Sequence, residues 1–374
     1  VFFGFKLVAM IRTQVVLVGA GPIGIELAVA FKHAGVDYLH LEAGQIGQTV
    51  SWYPKQSRFF SSPERISIAG VPLITADQTK ATREEYLAYL RGVVQTYGLQ
   101  IKSYQRVVAM EAGDGEGARG SSSGFLVHTR KGGNVSELID CQKIVLAIGD
   151  MHKPRQLHVP GEDLGHVSHY FEEPHPYFNQ DLLIIGGRNS AVEAALRCHR
   201  AGARVTISYR RAEFDEQSIK YWLLPEIKAL INAGEIRFLP QTTPTRILSE
   251  KVVLNPVDGH EPPAVLENQA PIEIDTDFVL LLTGYLQDQT LFDQLNLERR
   301  GENQAPVLNP NTQEASVPGV YVAGTATAGT QNKFSVFIEN AHPHVERIVK
   351  AITGSPPPAG LINQAAKTYG LPES

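Results

Sequence analysis

The chain has 374 residues, of which 43% are hydrophobic and 20% charged, and a formal net charge of −5. This is the balance of an ordinary globular protein, long for one domain and comfortable for two. It gives no reason to expect nucleic acid or an anionic membrane as a partner, and no apolar run approaches the length that spans a bilayer.

Residues 1–10, VFFGFKLVAM, are apolar but lack the charged start and small-residue cleavage site of a signal peptide, so they read as an extension before Met10. The first strong pattern follows in TQVVLVGAGPIGIELAVAFKHAG, residues 13–35. Val15 to Val18 form a β-branched apolar run suited to a strand buried on both faces of a parallel sheet. Gly19, Gly21 and Gly24 then keep the G-x-G-x-x-G spacing, and Leu27 and Phe31 fall one helical turn apart before a stop at Gly35. In that spacing the first glycine allows a tight turn, the second lets the backbone approach a pyrophosphate, and the third lets helix pack on strand. The helix start offers unpaired N–H groups to the phosphates. A second strand, DYLHLEAG, ends at Glu42, placed to accept hydrogen bonds from an adenosine ribose. Strand, glycines, helix, strand and acid in this order predict a dinucleotide site.

Further along, EAGDGEGARGSSSG (111–124) reads as a polar hairpin loop, and CQKIVLAIGD (141–150) as a strand closing in a small-residue turn. Residues 181–211, DLLIIGGRNSAVEAALRCHRAGARVTISYRR, repeat the opening logic. Here the turn is Gly186, Gly187, Arg188, Asn189, Ser190, Ala191. Ala191 replaces the third glycine and Arg188 the second, so either the guanidinium contacts a cofactor seated further out or affinity is poorer. The second strand ends in Arg210–Arg211, which suits a 2′-phosphate and favours NADPH over NADH. A first site ending in Glu and a second ending in Arg–Arg imply FAD followed by NADPH.

TDFVLLLTGY (276–285) is another strand closing in a turn, and GVYVAGTATAG (319–329) returns the chain to the first domain. FIENAHPHVERIVKAI then reads as a closing helix, and the tail from residue 355 begins with a proline spacer, free to pack on the domain or on a second subunit. The expected fold is α/β: two Rossmann-like dinucleotide-binding domains, the second inserted into the first. The expected boundaries are 10–160 and 285–354 for the FAD domain, 161–284 for the NADPH domain, and 355–374 for the tail. Hinges near 150–160 and 284–290 suggest that the second domain rotates. Two cysteines, Cys141 and Cys198, are too few for a disulfide scaffold and not spaced as metal ligands. Each reads as a small core hydrophobe, no metal is expected, and a reducing cytoplasm is the expected location.

The stretches WYPKQSRFFSSPERISI (52–68), PGEDLGHVSHYFEEPHPYF (160–178), GGRNSAVEAAL (186–196), SIKYWLLPEI (218–227), TGY (283–285) and FIEN (337–340) make the chain resemble the YpdA family. These are bacillithiol-disulfide-reductase-type flavoproteins of low-molecular-weight thioredoxin reductase architecture, and the likeness covers roughly residues 13–350. The resemblance implies FAD, NADPH, a small disulfide substrate and a homodimer. It places FAD against Gly19, Gly21, Pro22, Ile23, Gly24, Glu42, Ala43, Val107, Ala147, Gly149, Gly324, Thr325 and Ile338. Trp52 and Tyr53 lie where relatives cross the flavin, with loop packing as the other reading. NADPH is expected against Gly186, Gly187, Arg188, Asn189, Ser190, Ala191, Arg210, Arg211, Lys220 and Gly284, with Lys220 and Trp222 as a nicotinamide clamp.

Three departures bear on the reaction. The Cys-x-x-Cys of thioredoxin reductases is absent. Some YpdA members place a single cysteine in the first glycine turn, where this chain has Ile23. The relatives' Gly-Asp pair near the ribityl chain is here Gly324–Thr325. His342, or its neighbour His344, is the candidate acid for a departing thiolate, with polar contacts at the helix start as the alternative; His169 and His175 are expected to bond structurally. A ferredoxin- or flavodoxin-NADP reductase, which also needs no cysteine, is the second functional reading. A flavin monooxygenase, faintly echoed by Gly165, His169 and Tyr170, is the third.

Overall fold

A computed structural model describes residues 10–112, 124–132, 134–257, 271–333, 335–364 and 368. Most of the extension before Met10, most of the 111–124 hairpin and the end of the tail lie outside the described residues. The chain forms two compact units, one of residues 1–51, 56–153 and 286–374, the other of 52–55 and 154–285. Residues 52–55, 154–160 and 285, expected with the first domain, group with the second unit.

In the first unit the strand Met10–Val18 lies between Tyr38–Leu41 and Asn134–Leu146, all parallel, with Ile101–Lys102 beyond Tyr38–Leu41. Asn134–Leu146 is long enough to divide its far edge. Its first part, through Cys141, pairs antiparallel with Phe125–Lys131, which in turn pairs with Gln105–Ala112. Its last part, from Ile144, pairs parallel with Val320–Val322. One seven-stranded sheet results. Val15, Val16, Leu17, Ile144, Val145 and Leu146 are wholly buried, as apolar runs in a sheet covered on both faces should be. The helix Pro22–His33 buries every residue from Ile23 to Phe31, because the sheet and the last helix, Ile338–Thr353, both pack on it. The tail continues onto this unit: Leu361 and Ile362 are buried, and Asn363 Nδ2 donates to the carbonyls of Ser67 at 2.6 Å and Glu64 at 2.9 Å.

The second unit has a five-stranded parallel sheet in the order Arg237–Pro240, Arg204–Tyr209, Asp181–Ile185, Phe278–Leu281, Val167–Ser168. An antiparallel sheet of Thr242–Ile247, Lys251–Pro256 and Ile272–Asp275 accompanies it. The helix Asn189–Arg200 is amphipathic, burying Ala191, Val192, Ala194, Ala195, Leu196 and Cys198 and leaving its basic residues outside. Among the described residues no helix is long and apolar enough to cross a membrane.

Candidate functional site

In the first unit the strand ends at Val18, Leu41, Leu146 and Val322 point the same way, and the turns after them build one side of the molecule's chemistry. Gly19 has φ +104°, and a Cβ there would collide with the carbonyl of Ala147. A Cβ on Gly24 would strike the carbonyl of Gly19 itself. Both glycines are therefore demanded by the protein's own packing. Gly21 is different: a Cβ there would meet nothing within 4 Å, so no packing within the chain demands glycine at that position. Gly21 is also the helix N-cap, with Pro22 following and no side chain capping the N–H groups. An uncapped helix start behind an open glycine fits a phosphate-bearing ligand.

The Glu42 carboxylate accepts from Ala20 N and Gly44 N, both at 2.7 Å. Burial raises its pKa, against the opposing pull of these N–H groups and of Arg106. Beneath the turn, buried His40 donates Nε2–H to the Gly19 carbonyl at 2.9 Å; burial lowers its pKa to about 4, so the ring stays neutral and the turn pinned. Ala43 is exposed, and Val107 sits at the irregularity of its strand. Gly149 (φ +73°) faces the Thr325 hydroxyl, and Gly324 (φ +69°) lies against the Ile23 side chain. Gly324 N donates to His344 Nδ1 at 3.2 Å, and burial lowers the His344 pKa to about 4. Ile338 is half-buried at the start of the last helix.

In the second unit Gly186 (φ +144°) takes the role of Gly19, a Cβ there colliding with the carbonyl of Leu282. Gly187 is required because the Tyr209 ring lies over it. Arg188 is the N-cap of an uncapped helix that begins with Asn189 and Ser190, and Ala191 is buried where Gly24 stands in the first unit. Arg210 and Arg211 are exposed. Arg211 reaches Asp215 at 3.5 Å, while Arg210 has no carboxylate partner among the described residues. Gly284 (φ +97°) has open space where a side chain would be. Trp52 is half-buried and stands edge-on to Tyr170, which also packs on Tyr285. His169 Nε2 lies 3.4 Å from Glu162 and His175 is exposed.

Two expectations are corrected. His342 cannot meet a substrate: it is 0% exposed, with Nδ1 2.7 Å from Glu26 Oε2 and Nε2 donating to the Arg65 carbonyl at 3.1 Å. Burial would lower its pKa, but the Glu26 carboxylate, the Arg65 carbonyl and Glu339 together outweigh this and raise it. Glu26 Oε1 also accepts from Ala69 N and Asn363 N. Lys220 is likewise committed, its buried Nζ 2.8 Å from Glu193 and its backbone N–H bonded to Asn189 Oδ1. Both are counter-charges of a helix glutamate. Cys141 and Cys198 are 2% and 0% exposed, and burial pushes both thiols up to about 12, so neither is poised as a thiolate.

The residue that sequence reasoning missed is Asp150. It follows Gly149, is 8% exposed, and accepts from Gln331 Nε2 at 2.8 Å, with the Thr325 side chain close enough to oppose the rise in its pKa. The only signal for it in the sequence was an acid directly after a glycine turn.

Residues 16–324 match the family model described as pyridine nucleotide-disulphide oxidoreductase. Bacilliredoxin reductase Bdr of Bacillus subtilis (strain 168) is 34% identical over 343 residues, 92% of this chain and 98% of the relative. The solved structure of bacillithiol disulfide reductase Bdr (YpdA) from Bacillus cereus is 34% identical, covers 92% of this chain and 99% of its own, and superposes with a TM-score of 0.82. A ferredoxin–NADP reductase of Ignicoccus hospitalis is 25% identical over 319 residues, 83% of this chain and 89% of the relative.

Proposed function

We propose, since this chain belongs to the Bdr (YpdA) family of pyridine nucleotide-disulphide oxidoreductases, that it is an NADPH-dependent flavoenzyme that reduces bacillithiol disulfide or a similar small disulfide. The net reaction is RSSR + NADPH + H⁺ → 2 RSH + NADP⁺. The observation that carries the reading is the contrast between the two strand ends. Glu42 follows the open glycine turn of the first unit, whereas Arg210 and Arg211 follow the turn of the second. A carboxylate suits the ribose hydroxyls of FAD, and two guanidiniums suit the 2′-phosphate of NADPH.

When bound, the two cofactors supply the two-electron chemistry that a chain without an accessible thiol lacks. The protein's part is to bind and orient. The helix starts at Pro22 and Asn189 direct N–H groups at phosphates, and His40 and Glu42 hold the first turn rigid beneath its ligand. Ile23 is 6% exposed and packs against Gly324, so no enzyme thiol attacks the substrate from that turn. Sulfur–sulfur cleavage then proceeds without a disulfide to the chain. A cytoplasmic homodimer completes the reading, with an expected solution mass of twice the chain.

The test is anaerobic NADPH oxidation by the purified yellow protein. Bacillithiol disulfide should support turnover, and the Cys141→Ser/Cys198→Ser variant should keep it. Ile23→Cys should permit trapping of a mixed disulfide, because a thiol at a helix start is activated by the N–H groups around it. If no disulfide supports turnover and a ferredoxin or flavodoxin does, the electron-carrier reading replaces this one.

A further inference from the structure

The turn at Gly324–Thr325 carries a hydroxyl where the family resemblance implies an acid, and the structure places a carboxyl beside that turn from elsewhere in the chain. We infer that Asp150 is the carboxylate which receives a ribityl hydroxyl of FAD, standing in from the strand end of Asn134–Leu146 for the acid absent at position 325. The inference rests on the FAD reading of the first unit.

Three observations support it. First, Asp150 lies beside the position it replaces: its chain neighbour Gly149 faces the Thr325 hydroxyl, whose proximity also acts to lower the Asp150 pKa. Second, the carboxyl is held by a group that cannot turn away. Gln331 Nε2 donates to Asp150 Oδ2 at 2.8 Å and to the Val336 carbonyl at 3.0 Å, while Gln331 Oε1 accepts from Ser335 N and Val336 N at 2.8 and 3.0 Å. Gln287 Nε2 ties the same two turns together from the other end, donating to Gly149 O at 2.9 Å and Ala326 O at 3.0 Å. Third, the carboxyl is short of donors. Its two oxygens offer about four acceptor sites. Burial raises its pKa in spite of hydrogen bonds from Gln331, Thr325 and its own backbone. A further hydroxyl donor would relieve that deficit, and a polyol chain crossing the Gly149 and Gly324 turns supplies one.

The test measures FAD affinity on the apoprotein by titration, with flavin fluorescence as the readout and apoprotein unfolding as the control. Asp150→Ala should weaken FAD binding by about 10-fold or more, the range expected for loss of a hydrogen bond to a charged group. Asp150→Asn should weaken it less, because one acceptor oxygen remains. Adding Thr325→Asp to Asp150→Ala should recover most of the lost affinity, since the carboxylate returns to the same locality from the neighbouring turn. That recovery would not occur if Asp150 served only to tie the turns together, so a folded double variant without recovery overturns the inference. Unchanged affinity in Asp150→Ala overturns it as well; should that variant not fold, unchanged affinity in Asp150→Asn does so. A wild-type protein that binds no FAD removes the cofactor reading and this inference together. Tight wild-type binding with indifferent variants removes only the inference.

Discussion

The fifth residue of each nucleotide helix is a glutamate turned inward, Glu26 on Pro22–His33 and Glu193 on Asn189–Arg200. The first is answered by His342, the second by Lys220, and each partner comes from a segment far along the chain. The two units thus share more than a glycine turn: they share an internal ion pair that fastens a distant segment to the nucleotide helix. Where they differ is at the rim. Gly21 faces open space, and the strand beside it ends in a carboxylate bonded to two backbone N–H groups. Its counterpart Arg188 carries a guanidinium, and the neighbouring strand runs out into two exposed arginines. Interior positions are therefore conserved between the units by the needs of packing, and ligand choice is written in the few residues at the edge.

The largest expected effect lies in the shared interior. Glu26→Ala should destabilise the protein by roughly 3–5 kcal/mol, the range for breaking a buried pair, because it also orphans the N–H groups of Ala69 and Asn363. Glu193→Ala should cost less, since side chains about one-tenth exposed leave Lys220 some access to water. Chemical denaturation measures both. If His342→Ala left stability intact and abolished turnover, the structural role of that histidine would be wrong.

Next comes the rim of the second unit. Arg210→Ala with Arg211→Ala should erode the preference for NADPH over NADH by one to two orders of magnitude, roughly two charge-assisted phosphate contacts. The ratio of kcat/KM for the two nucleotides reads this directly, and a wild type that prefers NADH would refute the assignment.

A smaller effect separates packing glycines from ligand glycines. Gly21→Ala should weaken FAD binding by about 10-fold while costing the apoprotein no more than a modest N-cap penalty, because its Cβ meets only open space. Gly24→Ala should instead lower the melting temperature of the apoprotein itself. Equal behaviour of the two variants would erase the distinction.

The smallest is a pH slope. The folded pKa of His342 is raised above its ordinary 6.5, so the stability this pair contributes is complete below about pH 6.5 and lost as pH rises through the folded value. His40 and His344, both lowered to about 4, act oppositely: the unfolded chain takes up their protons first, and stability falls as pH drops from 6.5 towards 4. Unfolding free energy measured across pH should show both flanks, and Glu26→Gln should flatten only the alkaline one.

Much of the site was legible because it is local. The Val15–Val18 run, the glycine spacing and the acid at the end of the next strand are neighbours in the chain, and the geometry of a strand–turn–helix unit makes them neighbours in space. His342 and Lys220 misled for the opposite reason. A basic side chain beside a nucleotide motif resembles a ligand contact until its counter-charge is found, and the counter-charges lie 316 and 27 residues away. The clue was present in the G-x-E that ends GPIGIE and the A-V-E that ends RNSAVE.

By itself the sequence determined the two parallel α/β units, their order and the opposite charges at their rims, since periodicity and turn chemistry act over a few residues. Only the tertiary structure decided which polar groups are free to act. It sealed His342 and both cysteines away from solvent, paired Lys220 with Glu193, laid Ile23 against Gly324, and brought Asp150 near Thr325 across 175 residues of chain. Burial and pairing are set by side chains that meet only after the sheet has closed, and the availability of a charge depends on them more than on its type.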